Sequence, residues 1–244
     1  MSNIRESIQS VEQEYKDFMG IDSFPNYAIN ERMISEEELS VSNYISVASA
    51  GYFFEKKQHI LTVISNMNIS DFKFLLFHEF THMLDTEKYV ANDKSRYVGI
   101  TGFSEYHASQ IELLQLLGAN SSKCPISFTM DDEVTPLGSR MSVRHYLQNK
   151  RDIAESMFAE RQKTKDINIV VAMIGVLYNY LGLRSICKMY AEDYYMDENN
   201  SIFLSQLPSM LFSSINTLMN GWLCNQEIEK SMKSYTNALT FLLQ

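Results

Sequence analysis

The chain has 244 residues, 45% of them hydrophobic, which suits one domain or two closely packed ones around a sizeable core. Its 30 acidic residues against 21 basic ones leave a net charge of −9, a balance that argues against nonspecific nucleic-acid binding. Cys124, Cys187 and Cys224 are widely spaced and make no C-x-x-C pair, and the first residues lack an apolar signal segment, so reduced thiols and a cytoplasmic location are expected.

Ile4, Ile8, Val11, Tyr15 and Phe18 recur at three- and four-residue intervals, which predicts an amphipathic helix over residues 2–19 closed by Gly20. Pro25 and the acidic run Glu36-Glu37-Glu38 mark a connecting segment with a solvated face. From Val41 to Phe54 the residues turn β-branched, aromatic or small, and Ile60–Ile64 repeats the pattern after a hairpin tip at Glu55-Lys-Lys-Gln, so two strands are expected. An edge strand just before the helix that follows could hold an extended peptide by main-chain hydrogen bonds.

The rest of the chain is organised around Ser70–Asp85. Phe72, Leu76, Phe80 and Met83 recur at helical spacing, and Phe74, Leu75, Phe77 and Leu84 make much of the remaining circumference apolar. A largely buried helix is expected, with Ser70 or Asp71 as N-cap. On it His78 and His82, four residues apart, stand on one face where both imidazoles can reach a single cation, with Glu79 beside them. Buried groups of this kind need partners, and a divalent metal supplies one for all three at once. The His-Glu-x-x-His order is that of a zinc hydrolase, whose glutamate takes a proton from a metal-bound water. In the plainer reading both histidines bond backbone carbonyls and Glu79 pairs with a Lys or Arg.

A hydrolytic zinc site uses three protein ligands and leaves a fourth position for water. The candidates downstream are Asp85, Glu105, His107 and Glu112. After a polar loop over Lys88–Gly99, Ser104 as N-cap and Gly118 as stop bracket a second helix with Tyr106, Ile111, Leu113, Leu114 and Leu117 as apolar contacts. Glu105, Ser109 and Glu112 share a face of it, and Ala108 is small enough to let the two helices approach closely. His107 points to another side, so it and Glu105 do not both ligate one metal. Asp85 suits a hydrogen bond to a liganding histidine better than a direct contact. Tyr106 or His107 is a candidate to stabilise a tetrahedral oxyanion.

Over residues 41–118 this pattern resembles the gluzincin branch of the zincin-like metallopeptidases. The resemblance implies a mixed sheet followed by the His-Glu-x-x-His helix and a glutamate-bearing helix. It also implies one zinc ion per chain held by His78, His82 and Glu105, with Glu79 as general base. Many members of the branch carry an aspartate four residues after the ligand glutamate to orient a zinc histidine. Here Ser109 stands there, and a hydroxyl orients an imidazole more weakly. Short intracellular metallopeptidases of phage and mobile-element regulatory loci are a looser comparison.

Residues 119–140, with Pro125, Asp131-Asp132-Glu133, Pro136 and Gly138, read as a long loop that covers a cleft or joins two lobes, its acidic triplet solvated. Helical periodicity follows in four segments, Val143–Arg161, Ile167–Glu192, Ser201–Asn220 and Asn225–Leu243, the third interrupted by Pro208. Gly182 and Gly221 read as bends or ends, and Asp193–Asn200 as a polar connection. Ile167–Leu183 includes Asn168 and Asn179 and fits a buried helix better than a bilayer span. The methionines and aromatics read as core, and His59 and His145, which lack ligand spacing, as structural or exposed.

The expectation is therefore an α+β fold: a zincin-like catalytic lobe over residues 1–118 with a helical lobe over 119–244 packed on it. The expected activity is that of a zinc-dependent endopeptidase acting on a peptide or protein, with neither nucleic acid nor membrane as partner. The alternative is a catalytically silent zincin-like protein that binds a partner through its helical lobe, motivated by Ser109 and by a methionine-rich surface there.

Overall fold

Helix α1 (Ile4–Met19) turns Ile8, Val11, Tyr15 and Phe18 inward, and the chain leaves it through Gly20 at φ 65°. The computed structural model describes residues 4–35, 47–124, 126–160, 165–195 and 199–244. The run Glu36-Glu37-Glu38, the start of the strand expected from Val41, Pro125 and part of the Asp193–Asn200 connection lie outside the described residues.

Three strands form one sheet in the order β1-β3-β2: β1 (Tyr27–Arg32), β2 (Ala48–Phe53) and β3 (Gln58–Ile64). The hairpin β2–β3 is antiparallel as expected, with Gly51 opposite Ile60. Strand β1, within the segment read as a connection, pairs parallel with β3. It escaped the sequence reading because none of its side chains is fully buried, so it carries no inside–outside alternation. The strand just before the helix is thus the central one, and the edges are β1 and β2.

Helix α2 (Ile69–Tyr89) buries Phe72, Phe74, Leu76, Phe77, Phe80 and Met83, as the periodicity demands. Its cap is Asn68, not Ser70 or Asp71, with the Asn68 side chain accepting from the Ser70 amide at 3.3 Å. Tyr15 packs edge-on against Phe77 and Phe80 at 5.3 and 5.5 Å and bonds Thr81 at 3.1 Å, which ties α1 to this helix.

Helix α3 (Lys94–Leu116) begins well before Ser104. Ala91 and Asn92, at φ 47° and 64°, turn the chain, and Asp93 caps α3 by accepting from the Ser95 amide at 2.8 Å. The expected loop over Lys88–Gly99 therefore shrinks to a tight turn. Gly102, ahead of the expected Ser104 cap, serves packing inside the helix, since a Cβ there would lie 2.5 Å from the Tyr235 ring. The far end behaves as predicted: Gly118 sits at φ 73° and the Ala119 amide bonds back to Leu114.

Between α3 and the remaining helices, β4 (Glu133–Val134) and β5 (Met141–Ser142) make a small hairpin around a turn at Pro136–Gly138. The acidic triplet is partnered within this loop: Asp131 and Glu133 pair with Arg144 and Arg140, and Asp132 accepts from the Thr129 amide. Then follow α4 (Val143–Glu160), α5 (Ile167–Tyr190), α6 (Ser201–Gln206), α7 (Ser209–Leu218) and α8 (Asn225–Leu243), with Pro208 separating α6 from α7. Among the described residues, only α5 is long and apolar enough to cross a membrane, and most of it is buried inside the fold.

The architecture is α+β, and one hydrophobic cluster runs from Ile8 through Leu242. Its methionines include Met83, Met130, Met173 and Met219, whereas Met33 and Met210 are exposed. The cysteines are all free, with Cys187 buried and Cys124 and Cys224 exposed. Gly182 marks neither a bend nor an end of α5. It is a contact point, because a Cβ would come within 2.2 Å of the Tyr106 carbonyl oxygen on α3. Gly182→Ala is accordingly expected to destabilise by about 3 kcal/mol through forced separation of the two backbones. Gly175→Ala, on the same helix with its nearest atom at 3.7 Å, is expected to be neutral or stabilising by about 0.5 kcal/mol. Denaturant unfolding of the two variants checks the contrast.

Candidate metal centre

Helix α2 presents His78 and His82 on one face, and α3 lies across it in the opposite direction, so that the later His82 meets the earlier Ser104 and the earlier His78 meets the later Glu112. Each imidazole is held through Nδ1: His78 by Glu112 at 2.7 Å and His82 by the Ser104 hydroxyl at 2.7 Å. That leaves both Nε2 atoms facing the same place, where a Glu105 carboxylate oxygen lies 3.5 Å from each. Glu79 stands next to them, with ligand atoms of His78, Glu79 and His82 all within 4.8 Å of one another. One Glu79 oxygen accepts from the Ala50 amide of the edge strand β2 at 2.6 Å, an amide turned away from β3.

These atoms fit a zinc ion. Tetrahedral zinc with bonds of about 2.0–2.1 Å to nitrogen and oxygen sets neighbouring donors about 3.3–3.4 Å apart. The two Nε2-to-carboxylate separations come within a few tenths of an ångström of that edge, in a donor set of two imidazoles and one carboxylate.

The electrostatics call for positive charge at the same spot. Burial favours neutral imidazoles, yet the surrounding carboxylates outweigh it and raise the pKa of both His78 and His82. Burial pushes Glu79 up. Against burial, His82 and then His78 hold Glu105 below the usual carboxylate range, and Lys150 with His78 does the same for Glu112. A divalent cation would satisfy the same buried carboxylates.

A cavity of about 290 Å³ opens over these groups, bordered by β2 from Ala48 to Tyr52 and by Tyr97 on α3. His59, read as structural or exposed, is buried in the cavity wall, its ring 4.8 Å from that of Tyr52 and its Nε2 3.7 Å from Glu87. His145 is exposed.

The rivals for the third ligand find other work. His107 Nδ1 is bound to the buried Asp85 carboxylate at 3.0 Å, so each occupies the other. Glu112 meets His78 through Nδ1, on the ring edge opposite the cluster. Neither oxyanion candidate faces the cavity, since Tyr106 exchanges hydrogen bonds with the Gly221 backbone and His107 stacks on Phe103. Ser109, four residues beyond Glu105, donates to Asn179 at 2.9 Å, while Glu112, seven residues beyond Glu105 on the same face, bonds His78. Tyr146 and Lys150 on α4, which carried no sequence signal, both reach Glu112.

No family model, curated protein or solved structure matches the chain.

Elemental analysis of the purified chain is expected to find one zinc per molecule, lost from His78→Ala, His82→Ala and Glu105→Ala and kept by His107→Ala. Zinc retained by Glu105→Ala but lost from His107→Ala would move the third ligand.

Proposed function

We propose that the chain is a zinc-dependent endopeptidase with a gluzincin-type, zincin-like core, in which His78, His82 and Glu105 hold the ion and Glu79 is the general base. The observation that carries this reading is the meeting of two Nε2 atoms and one carboxylate oxygen, 3.5 Å apart in both histidine–glutamate pairs. When bound, zinc supplies Lewis acidity towards a water and a carbonyl oxygen.

The chain's own residues do the rest. Ala50 pins one oxygen of Glu79, which leaves the other to take the proton of the attacking water and to pass it to the departing amine. Burial favours the protonated carboxyl, which strengthens Glu79 as a base. Glu112 and Ser104 keep the two imidazoles from turning. The edge strand β2 borders the cavity and offers an extended peptide a place to lie, with the Ala50 amide already committed to Glu79. Three free cysteines suit a reducing, cytoplasmic setting.

The alternative of a silent, partner-binding protein rests on the weak hydroxyl at Ser109 and on a methionine-rich surface of the helical lobe. The Glu112 carboxylate bonded to His78 weakens the first motive, and on that lobe Met210 is exposed. Glu79→Gln is expected to cut cleavage of an unstructured protein by about 10²–10⁴-fold with zinc content unchanged. Equal activity in that variant would refute the base. Stoichiometric zinc without any cleavage by the wild type would favour the silent alternative.

A further inference from the structure

Glu112 is 1% exposed, and beyond His78 its polar side chain meets Tyr146 and Lys150, one turn apart on α4. Lys150 Nζ lies 3.2 Å from Oε1, the Tyr146 hydroxyl donates to the same oxygen, and Oε2 belongs to His78 Nδ1. A carboxylate buried this deeply is costly unless it is fully partnered.

Charge supplies the first clue. Glu79, Glu105 and Glu112 gather three carboxyl groups at the centre, and Lys150 brings a cation to them. Among the described residues it is the only Lys or Arg paired with any of the three.

Hydrogen-bond direction supplies the second. An imidazole that offers Nε2 to a metal carries its proton on Nδ1, and that proton needs an acceptor. Glu112 Oε2, 2.7 Å away, is placed to be that acceptor. An ammonium at 3.2 Å and a phenol, both on Oε1, hold the carboxylate so that Oε2 stays against Nδ1.

On the metal-centre reading above, we propose that Lys150 is a positioning residue: acting through Glu112 from the face of α4, it fixes the carboxylate that holds the His78 ring with Nε2 turned towards the ion. The rival explanation is an ordinary salt bridge that fastens α4 to α3. Lys150 is 25% exposed and can be changed without opening the core.

The test measures zinc affinity of the full chain by competition with a chromophoric chelator, together with the melting temperature of the zinc-free form. Lys150→Met and Lys150→Gln are both expected to bind zinc about tenfold more weakly or worse, and Lys150→Arg to stay within about threefold of wild type. Using two neutral side chains keeps the test intact if one variant misfolds. A folded neutral variant with wild-type affinity and only a lower zinc-free melting temperature overturns the inference and leaves the centre standing. A wild type that takes up no zinc overturns both.

Discussion

Everything near the cavity depends on how α2 and α3 bury charge between them. Two imidazoles and the carboxylates of Glu79, Glu105 and Glu112 are brought together where solvent is largely excluded, and such groups persist only if each has a partner. The antiparallel crossing provides the partners. Ser104 and Glu112, about two turns apart on α3, take the outer edges of His82 and His78, and Glu105 between them meets the inner edges. A change in the register of the two helices would break all of these contacts together.

Helix α3 can do this because its opposite face is shaped for close approach. Gly102 admits the rings of Tyr178 and Tyr235, and the Gly182 position of α5 sits against the Tyr106 carbonyl oxygen. Backbone so tightly apposed moves little, and small displacements at the donors matter most where a metal demands fixed geometry. The C-terminal helices thus act on the centre in two ways: α5 and α8 buttress α3 from behind, and α4 reaches Glu112 with a cation and a phenol. The sheet contributes from the other side, its edge amide at Ala50 fixing Glu79. In the proposed hydrolase, ligand set, base and substrate-facing strand thereby come from three elements that share one core.

Much of this was legible in the residues. The spacing of His78, Glu79 and His82 on an apolar helix, the amphipathic first helix, the hairpin before α2 and the break at Pro208 are local patterns, and the structure carries each of them. Local reading failed where a local signal had a distant cause. Gly99 and Gly102 lie ahead of the expected Ser104 cap, yet they are helix positions facing Met232 and Tyr235. Strand β1 has no buried face and is held by its ladder to β3. Ser109 stood where a family pattern wants an aspartate, but one turn further on a buried glutamate reaches His78.

By itself, then, the sequence determined which side chains share a helix face, because a period of 3.6 residues is a property of the backbone and needs no neighbour. It placed His78 with His82, and Glu105 with Glu112. Which of Asp85, Glu105, His107 and Glu112 faces the histidines was decided by the crossing of α2 over α3, and by nothing encoded within either helix alone. That crossing is set by packing among residues far apart in the chain: the rings of Tyr178 and Tyr235 against Gly102, and the backbone of α5 at Gly182 against Tyr106. Close packing of this kind is a collective property of the folded core, so the partners of Glu112 on α4 became visible only once the whole chain was folded.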